Sequence, residues 1–261
     1  RAMREGRRLS DVELRQVLNE GPQTMKSAHT QRLVDRIVHD DALSEALSDD
    51  LKRPVRIVEG YRPSPRAWRR WRSPRRIAVV PVVGTIIDGK SQPLRLPILG
   101  LTTGERDFVA AIGREASDPD VVGIIVRVSS PGGSVVASER MHRAIVKART
   151  RKPVVVSFGD EAASGGYYLA SAAEHILTTP LSITGSIGIF TGKLDMSALY
   201  EKLGVTTDTE KTAPRADAEG LHRPWSEDEE KAARSALKAY YDLFVSRVAE
   251  GRKMTLERAE E

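Results

Sequence analysis

Cysteine is absent from this sequence of 261 residues. That excludes disulfides, a thiolate nucleophile and any cysteine metal site, and it leaves the redox compartment open. Long apolar runs are missing as well. The most nearly unbroken one, Ile77 to Ile87, is interrupted by Pro81 and Gly84, and it falls short of the roughly 20 apolar residues that span a bilayer. An initiating Met is also lacking, since the chain opens on Arg1. The sequence therefore reads as a piece of something longer, and the lack of a signal peptide or anchor carries no weight. Nor does either charge dominate: 41 Lys and Arg face 36 Asp and Glu, for a formal charge of +5. What is present, 40% apolar and 30% charged residues, describes a globular chain with enough length for one large or two modest domains.

The surplus of positive charge has a local origin. Residues 52–76 hold ten Lys and Arg against Glu59 alone, a balance of +9 that leaves −4 for the rest of the chain. Pro54, Pro63, Pro65 and Pro74 lie in the same stretch, so it reads first as an extended, solvated connector. Trp68 and Trp71 interleave with the arginines and keep two other readings open, a contact at a lipid headgroup layer and stacking on bases. A nucleic-acid-binding domain would spread its basic surface over a fold, and no nucleic-acid partner is expected.

Before this connector, Ser10 and Glu13 have the spacing of a capping box at the start of an amphipathic helix that Gly21-Pro22 ends. A second helix is expected within Lys26 to Val38. Residues 1–51 are too few to make a core alone and must pack on something else. After the connector the chain alternates. Strands are expected at Ile77–Val83, Val121–Val128, Pro153–Ser157 and His175–Thr178. Helices are expected at Gly104–Glu115, Ser134–Ala148 and Ser164–Ala173, with a loop between Val83 and Gly104. This is the order of βαβ units and a mostly parallel sheet with flanking helices, an α/β fold. A long helix follows from Ser226 to Val248, again with a Ser-x-x-Glu start. Glu5-Gly-Arg-Arg-Leu-Ser10 echoes Glu250-Gly-Arg-Lys-Met-Thr255, which would fit a parent protein of two similar halves.

Two glycine clusters fall at the C-terminal ends of expected strands, where open α/β sheets place ligands. In Ser129-Ser-Pro-Gly-Gly-Ser134, adjacent glycines let backbone amides approach a phosphate or a tetrahedral oxyanion. The Gly-Lys-Ser/Thr ending of a phosphate loop is missing, which disfavours the phosphate; a plain strand-to-helix turn stays open. In Asp160-Glu-Ala-Ala-Ser164-Gly-Gly-Tyr-Tyr168 the serine has small neighbours and stands at a helix start, near the positive end of the dipole. It is either a nucleophile or an ordinary N-cap. An oxyanion site at Gly132 and Gly133 with an exposed Ser164 at the next turn would make the two halves of an acyl-transfer centre. A third small-residue turn, Ile183 to Ile189, carries the hydroxyl of Ser186.

A serine needs a base. None of His29, His39, His142, His175 and His222 has an evident carboxylate partner, which argues against a Ser-His-Asp triad. A lysine serves when burial lowers its pKa; the downstream lysines are Lys193, Lys202 and Lys211, each read first as a solvated surface residue. No metal or other cofactor is expected.

Ser-Pro-Gly-Gly-Ser at 130–134, Ala-Ser-Gly-Gly-Tyr-Tyr at 163–168 and Thr-Gly-Ser-Ile-Gly at 184–188 together resemble the signal peptide peptidase A (protease IV) family. The likeness runs from Ile77 to Glu261. Leu9-Ser10, Glu20-Gly-Pro22 and Leu33-Val-Asp35 are similar to that family's stretch between its tandem halves. The resemblance implies a ClpP/crotonase-like fold and a serine endopeptidase with a Ser/Lys dyad. Ser164 matches the nucleophile, Gly132 and Gly133 the oxyanion turn, and Ser186 the hydroxyl that orients the lysine. The lysine of the family's short form would stand at Ala216, within Lys211-Thr-Ala-Pro-Arg-Ala216-Asp217. The sequence therefore resembles the serine-bearing half of the long form, with residues 1–51 the tail of a preceding half, 52–76 a linker and 77–261 the peptidase domain, cut short at its end. The lysine would then come from the absent N-terminal half, leaving this piece inactive alone. By the same resemblance the whole protein would be tethered to the bacterial inner membrane on its periplasmic side, form a homo-oligomer and cleave leftover signal peptides. Two rivals stay open: a non-catalytic scaffold or substrate-binding half, and acyl-CoA chemistry on the related crotonase fold.

Overall fold

The computed structural model describes residues 6–20, 24–39, 42–55, 75–92 and 100–260. Most of the 52–76 stretch, with Trp68 and Trp71, lies outside them. In chain order the elements are α1 (Asp11–Glu20), α2 (Met25–Thr30), α3 (Leu43–Leu51), β1 (Arg76–Val83), β2 (Thr85–Ile87), β3 (Thr102–Gly104), α4 (Glu105–Ser117), β4 (Val121–Ser130), α5 (Val135–Arg149), β5 (Val154–Ala163), α6 (Gly165–Ser171), β6 (His175–Leu177), β7 (Ile183–Gly185), α7 (Ser197–Lys202), α8 (Glu227–Arg252) and α9 (Leu256–Glu260).

Two compact units result, one of residues 1–63 and 190–239, the other of 64–189 and 240–261. The N-terminal helices thus group with the 190–239 segment, meeting their need for a partner. In that first unit, Ser10 caps α1 as its spacing requires: its amide donates to Glu13 Oε2 at 2.7 Å, and the Glu13 amide donates to Ser10 Oγ at 3.2 Å. The helix expected over 26–38 stops at Thr30. Arg32 turns left-handed at φ 61°, and Leu33 N reaches back to Ala28 O, a chain reversal that apolar periodicity does not register.

The second unit is built on a parallel sheet in the order β1-β4-β5-β6, with β7 also paired to β5. Val and Ile fill β4 and β5 because a parallel sheet under helices is deeply covered. Val80, Val82, Ile124, Val126, Val128, Val154, Val156 and Phe158 form the buried face. Against it pack Phe108, Ile112 and Ala116 of α4 and Ala137, Met141, Ile145 and Ala148 of α5, each set at helical spacing. The mostly parallel α/β architecture expected from the alternation is what forms.

Between Val83 and Gly104 the expected loop contains the short parallel pair β2 and β3. Threonine hydroxyls do the bonding there that backbone would do elsewhere: Thr103 Oγ1 accepts from Val83 N and donates to Val83 O, both at 2.8 Å. β4 and β5 run in register to Val128 and Phe158, then resume at Ser130 and Ala162. The two extra residues bulge β5 just before Ser164.

Candidate active site

Ser164 stands between β5 and α6. Its backbone is held on both sides: the amide donates to Gly185 O at 2.9 Å, and the carbonyl accepts from Tyr168 N at 2.8 Å. Between these anchors the residue adopts φ 48° and ψ −118°, a positive φ that a residue with a β-carbon rarely takes. Its side chain does not cap α6. The ordinary N-cap explanation of this half-buried serine therefore fails, and its hydroxyl is bonded to no lysine or histidine among the described residues.

The glycines explain themselves by contact. A β-carbon on Gly132 would stand 2.6 Å from Gly165 N and 2.8 Å from Ser164 Cβ. One on Gly133 would collide with Ile86 O, one on Gly165 with Ser138 Oγ, and one on Gly166 would lie 3.0 Å from Ser130 O. The 130–134 turn and the start of α6 are pressed together, and only bare backbone fits between them.

Their amides divide in use. Gly132 N donates to Ser130 Oγ at 3.1 Å, and Ser130 Oγ donates to Gly84 O at 2.6 Å. Ile86 bridges Gly133 in parallel fashion, with Ile86 N donating to Gly132 O at 2.8 Å and Ser134 N to Ile86 O at 2.9 Å. A parallel bridge uses the groups on either side of its central residue. The Gly133 amide is thereby left without a partner among the described residues and faces away from Ile86. Of the two glycines, Gly133 keeps its amide unspent among the described residues, and Gly132 sits where a β-carbon has no room. Gly165 joins them: its backbone nitrogen would lie 2.6 Å from a β-carbon on Gly132.

β7 completes the group. Gly185 pairs with Ala163, so the next residue, Ser186, follows directly beside the end of β5, exposed and at φ 50°. The structure thus brings Ser164, Gly132, Gly133 and the β7 turn that carries Ser186 to the C-terminal ends of the central strands β4 and β5.

Residues 147–261, which include Ser164 and Ser186, match peptidase family S49. The chain carries a peptidase S49 domain. It is 38% identical over 183 residues to Protease 4 of Salmonella typhi, covering 69% of this chain and 28% of that one. It is 30% identical over 265 residues to the chloroplastic serine protease SPPA of Arabidopsis thaliana, covering 98% and 38%. With the putative signal peptide peptidase SppA of Enterococcus faecium it shares 35% over 150 residues, covering 57% and 44%. The chain therefore spans less than half the length of these relatives. A mutant ClpP1 from Listeria monocytogenes superposes over 70% of this chain and 76% of its own, with a TM-score of 0.40 and 15% identity, too loose a likeness to argue from.

The titratable groups around Tyr168, one turn beyond Ser164, form one largely buried cluster. Tyr168, 1% exposed, donates its hydroxyl to Glu139 Oε2 at 2.7 Å. Arg247 donates to the other oxygen of Glu139 at 2.8 Å. Arg247 and Tyr168 hold the Glu139 carboxyl below its ordinary range despite its burial. Burial pushes His142 down to about 4, and its ring meets that of Tyr168 edge-on at 5.7 Å. His142 is a neutral packing residue.

The downstream lysines differ among themselves. Lys211 Nζ donates to Asp217 Oδ1 at 2.8 Å and to Pro214 O at 3.1 Å. Arg223 binds the same carboxylate, and these bonds push the Asp217 carboxyl far below its usual value. Lys211 is thus engaged by an ion pair and a backbone carbonyl. Lys202 is exposed at the end of α7. Lys193 Nζ is buried and makes no hydrogen bond among the described residues. Also among the described residues, no three His, Asp or Glu side chains are grouped to hold a metal ion, and no helix is long and apolar enough to cross a membrane.

Proposed function

We propose that the protein is a serine endopeptidase whose nucleophile is Ser164, working with a lysine as a Ser/Lys dyad. Ser164 Oγ attacks the scissile carbonyl carbon while a neutral lysine amine takes the hydroxyl proton. The Gly133 amide, in the turn it shares with Gly132, receives the developing negative charge. The C–N bond then breaks, the amine product leaves with the proton from lysine, and water hydrolyses the acyl-enzyme. Ser186 holds the lysine by its hydroxyl. Ala216 stands where a lysine within the domain would be expected, so the base comes from a preceding half of a longer protein.

The observation that carries this reading is the uncapped hydroxyl of Ser164 at a positive φ, directly against a glycine turn with one amide unspent. Membership of S49 and relatives named Protease 4 and SppA support the peptidase chemistry. The name signal peptide peptidase, carried by the Enterococcus faecium relative, also supports cleaved signal peptides as substrates; a periplasmic site at the inner membrane and assembly of several copies are part of the proposal and rest on the sequence resemblance alone.

The test is turnover of a signal-peptide-derived substrate by the full-length protein. Ser164→Ala should remove cleavage down to background. Normal processing by that variant would instead mean that this domain is a scaffold for chemistry done elsewhere.

A further inference from the structure

At only seven residues, Gly165 to Ser171, α6 is too short to be stable by itself, because short helices depend on packing. Leu169 and Ala170 seat it in the main core, and Tyr168 ties it to α5 and α8. That residue stands one turn beyond Ser164 and is the donor to the Ser164 carbonyl. Its ring packs 4.6 Å from Phe244 of α8 and edge-on to His142 of α5. Its hydroxyl is received by Glu139 of α5, which Arg247 of α8 grips through two nitrogens, at 2.8 and 3.2 Å. Further along α8, a β-carbon on Gly251 would collide with Ser171 O, so the two helices are in backbone contact at that end.

Stability alone gives no reason for this polar trio. Three apolar side chains of similar volume would fill the space without the desolvation cost of a half-buried ion pair and a buried hydroxyl. A hydrogen-bonded chain differs from an apolar plug in that it fixes one orientation. We propose that Glu139 and Arg247 are positioning residues for Ser164, acting through Tyr168 to set the first turn of α6 and with it the direction of the serine oxygen. The inference rests on Ser164 being the nucleophile. A displacement of about 1 Å in a reacting group can cost a hundredfold in rate, so a clamp one turn away has leverage.

The experiment is covalent labelling of the full-length protein by an alkyl fluorophosphonate, with the maximal labelling rate and the half-saturating concentration measured separately. Tyr168→Phe, which removes one oxygen and leaves the packing, should slow the maximal rate about tenfold with half-saturation nearly unchanged. Glu139→Ala should do the same. Glu139→Gln still accepts the tyrosine hydroxyl and should recover most of the rate. Should Glu139→Ala fail to fold, Tyr168→Phe decides alone. A folded Tyr168→Phe protein that labels at the wild-type rate would overturn the inference, as would a Glu139→Gln protein as slow as Glu139→Ala. Labelling that survives in Ser164→Ala would instead overturn the nucleophile assignment on which the inference stands.

Discussion

Serine at a positive φ costs about 1–3 kcal/mol of backbone strain, and at position 164 the neighbouring bonds hold it there. The result is a hydroxyl that makes no capping bond to the helix it precedes. Around it, glycine is required by contact. Gly132→Ala would force a methyl group to within 2.8 Å of Ser164 Cβ at a φ of 105°. That variant should lose cleavage activity by at least about a hundredfold, read by peptide turnover beside a melting curve that shows a folded protein. At this scale the sequence was informative in one respect, because glycine pairs beside a serine mark bare backbone. It was silent in another. That Ser130 consumes the Gly132 amide while the Gly133 amide is left over depends on the bridge to Ile86, which joins segments more than 40 residues apart.

Local chemistry fixed the larger elements in advance. α8 begins where Ser226 and Glu229 exchange bonds, with Ser226 N donating to Glu229 Oε2 at 2.8 Å and Glu229 N to Ser226 Oγ at 3.2 Å. Arg223 adds two more bonds to Glu229 and, with them, pushes its carboxyl down to about 2 from the usual 4.5. Because the folded value is depressed, this group adds stability that is complete above about pH 4.5 and fades as pH falls toward 2. Thermal melts should therefore show Glu229→Gln less stable than the parent at pH 6, and the gap should narrow at pH 3. Ser226→Ala should cost about 1 kcal/mol through loss of the cap. Short elements escaped the sequence for a physical reason. β2 and β3 are three residues each, below the length at which alternation is visible, and their bonding runs partly through threonine hydroxyls. α2 stops early because Arg32 turns left-handed, a choice made by one residue against the apolar pattern around it.

Over the whole molecule the main alternation in 76–185 was legible because β1, β4 and β5 are Val/Ile-rich runs and α4 and α5 carry a 3.6-residue stripe. The grouping of residues 1–63 with 190–239 was legible only as a need for some partner. The base for Ser164 is the least legible part. Position 216 is alanine, Lys211 is held by Asp217, and no spacing rule names a donor on another segment. The central claim is that Ser164 Oγ forms the acyl bond, and one measurement bears on it most directly. The full-length protein is treated with a fluorophosphonate, digested, and the modified residue located by mass spectrometry. The account predicts a single adduct on Ser164, in the peptide containing Ala163-Ser164-Gly165-Gly166. An adduct on any other serine, with Ser164 unmodified, would contradict it.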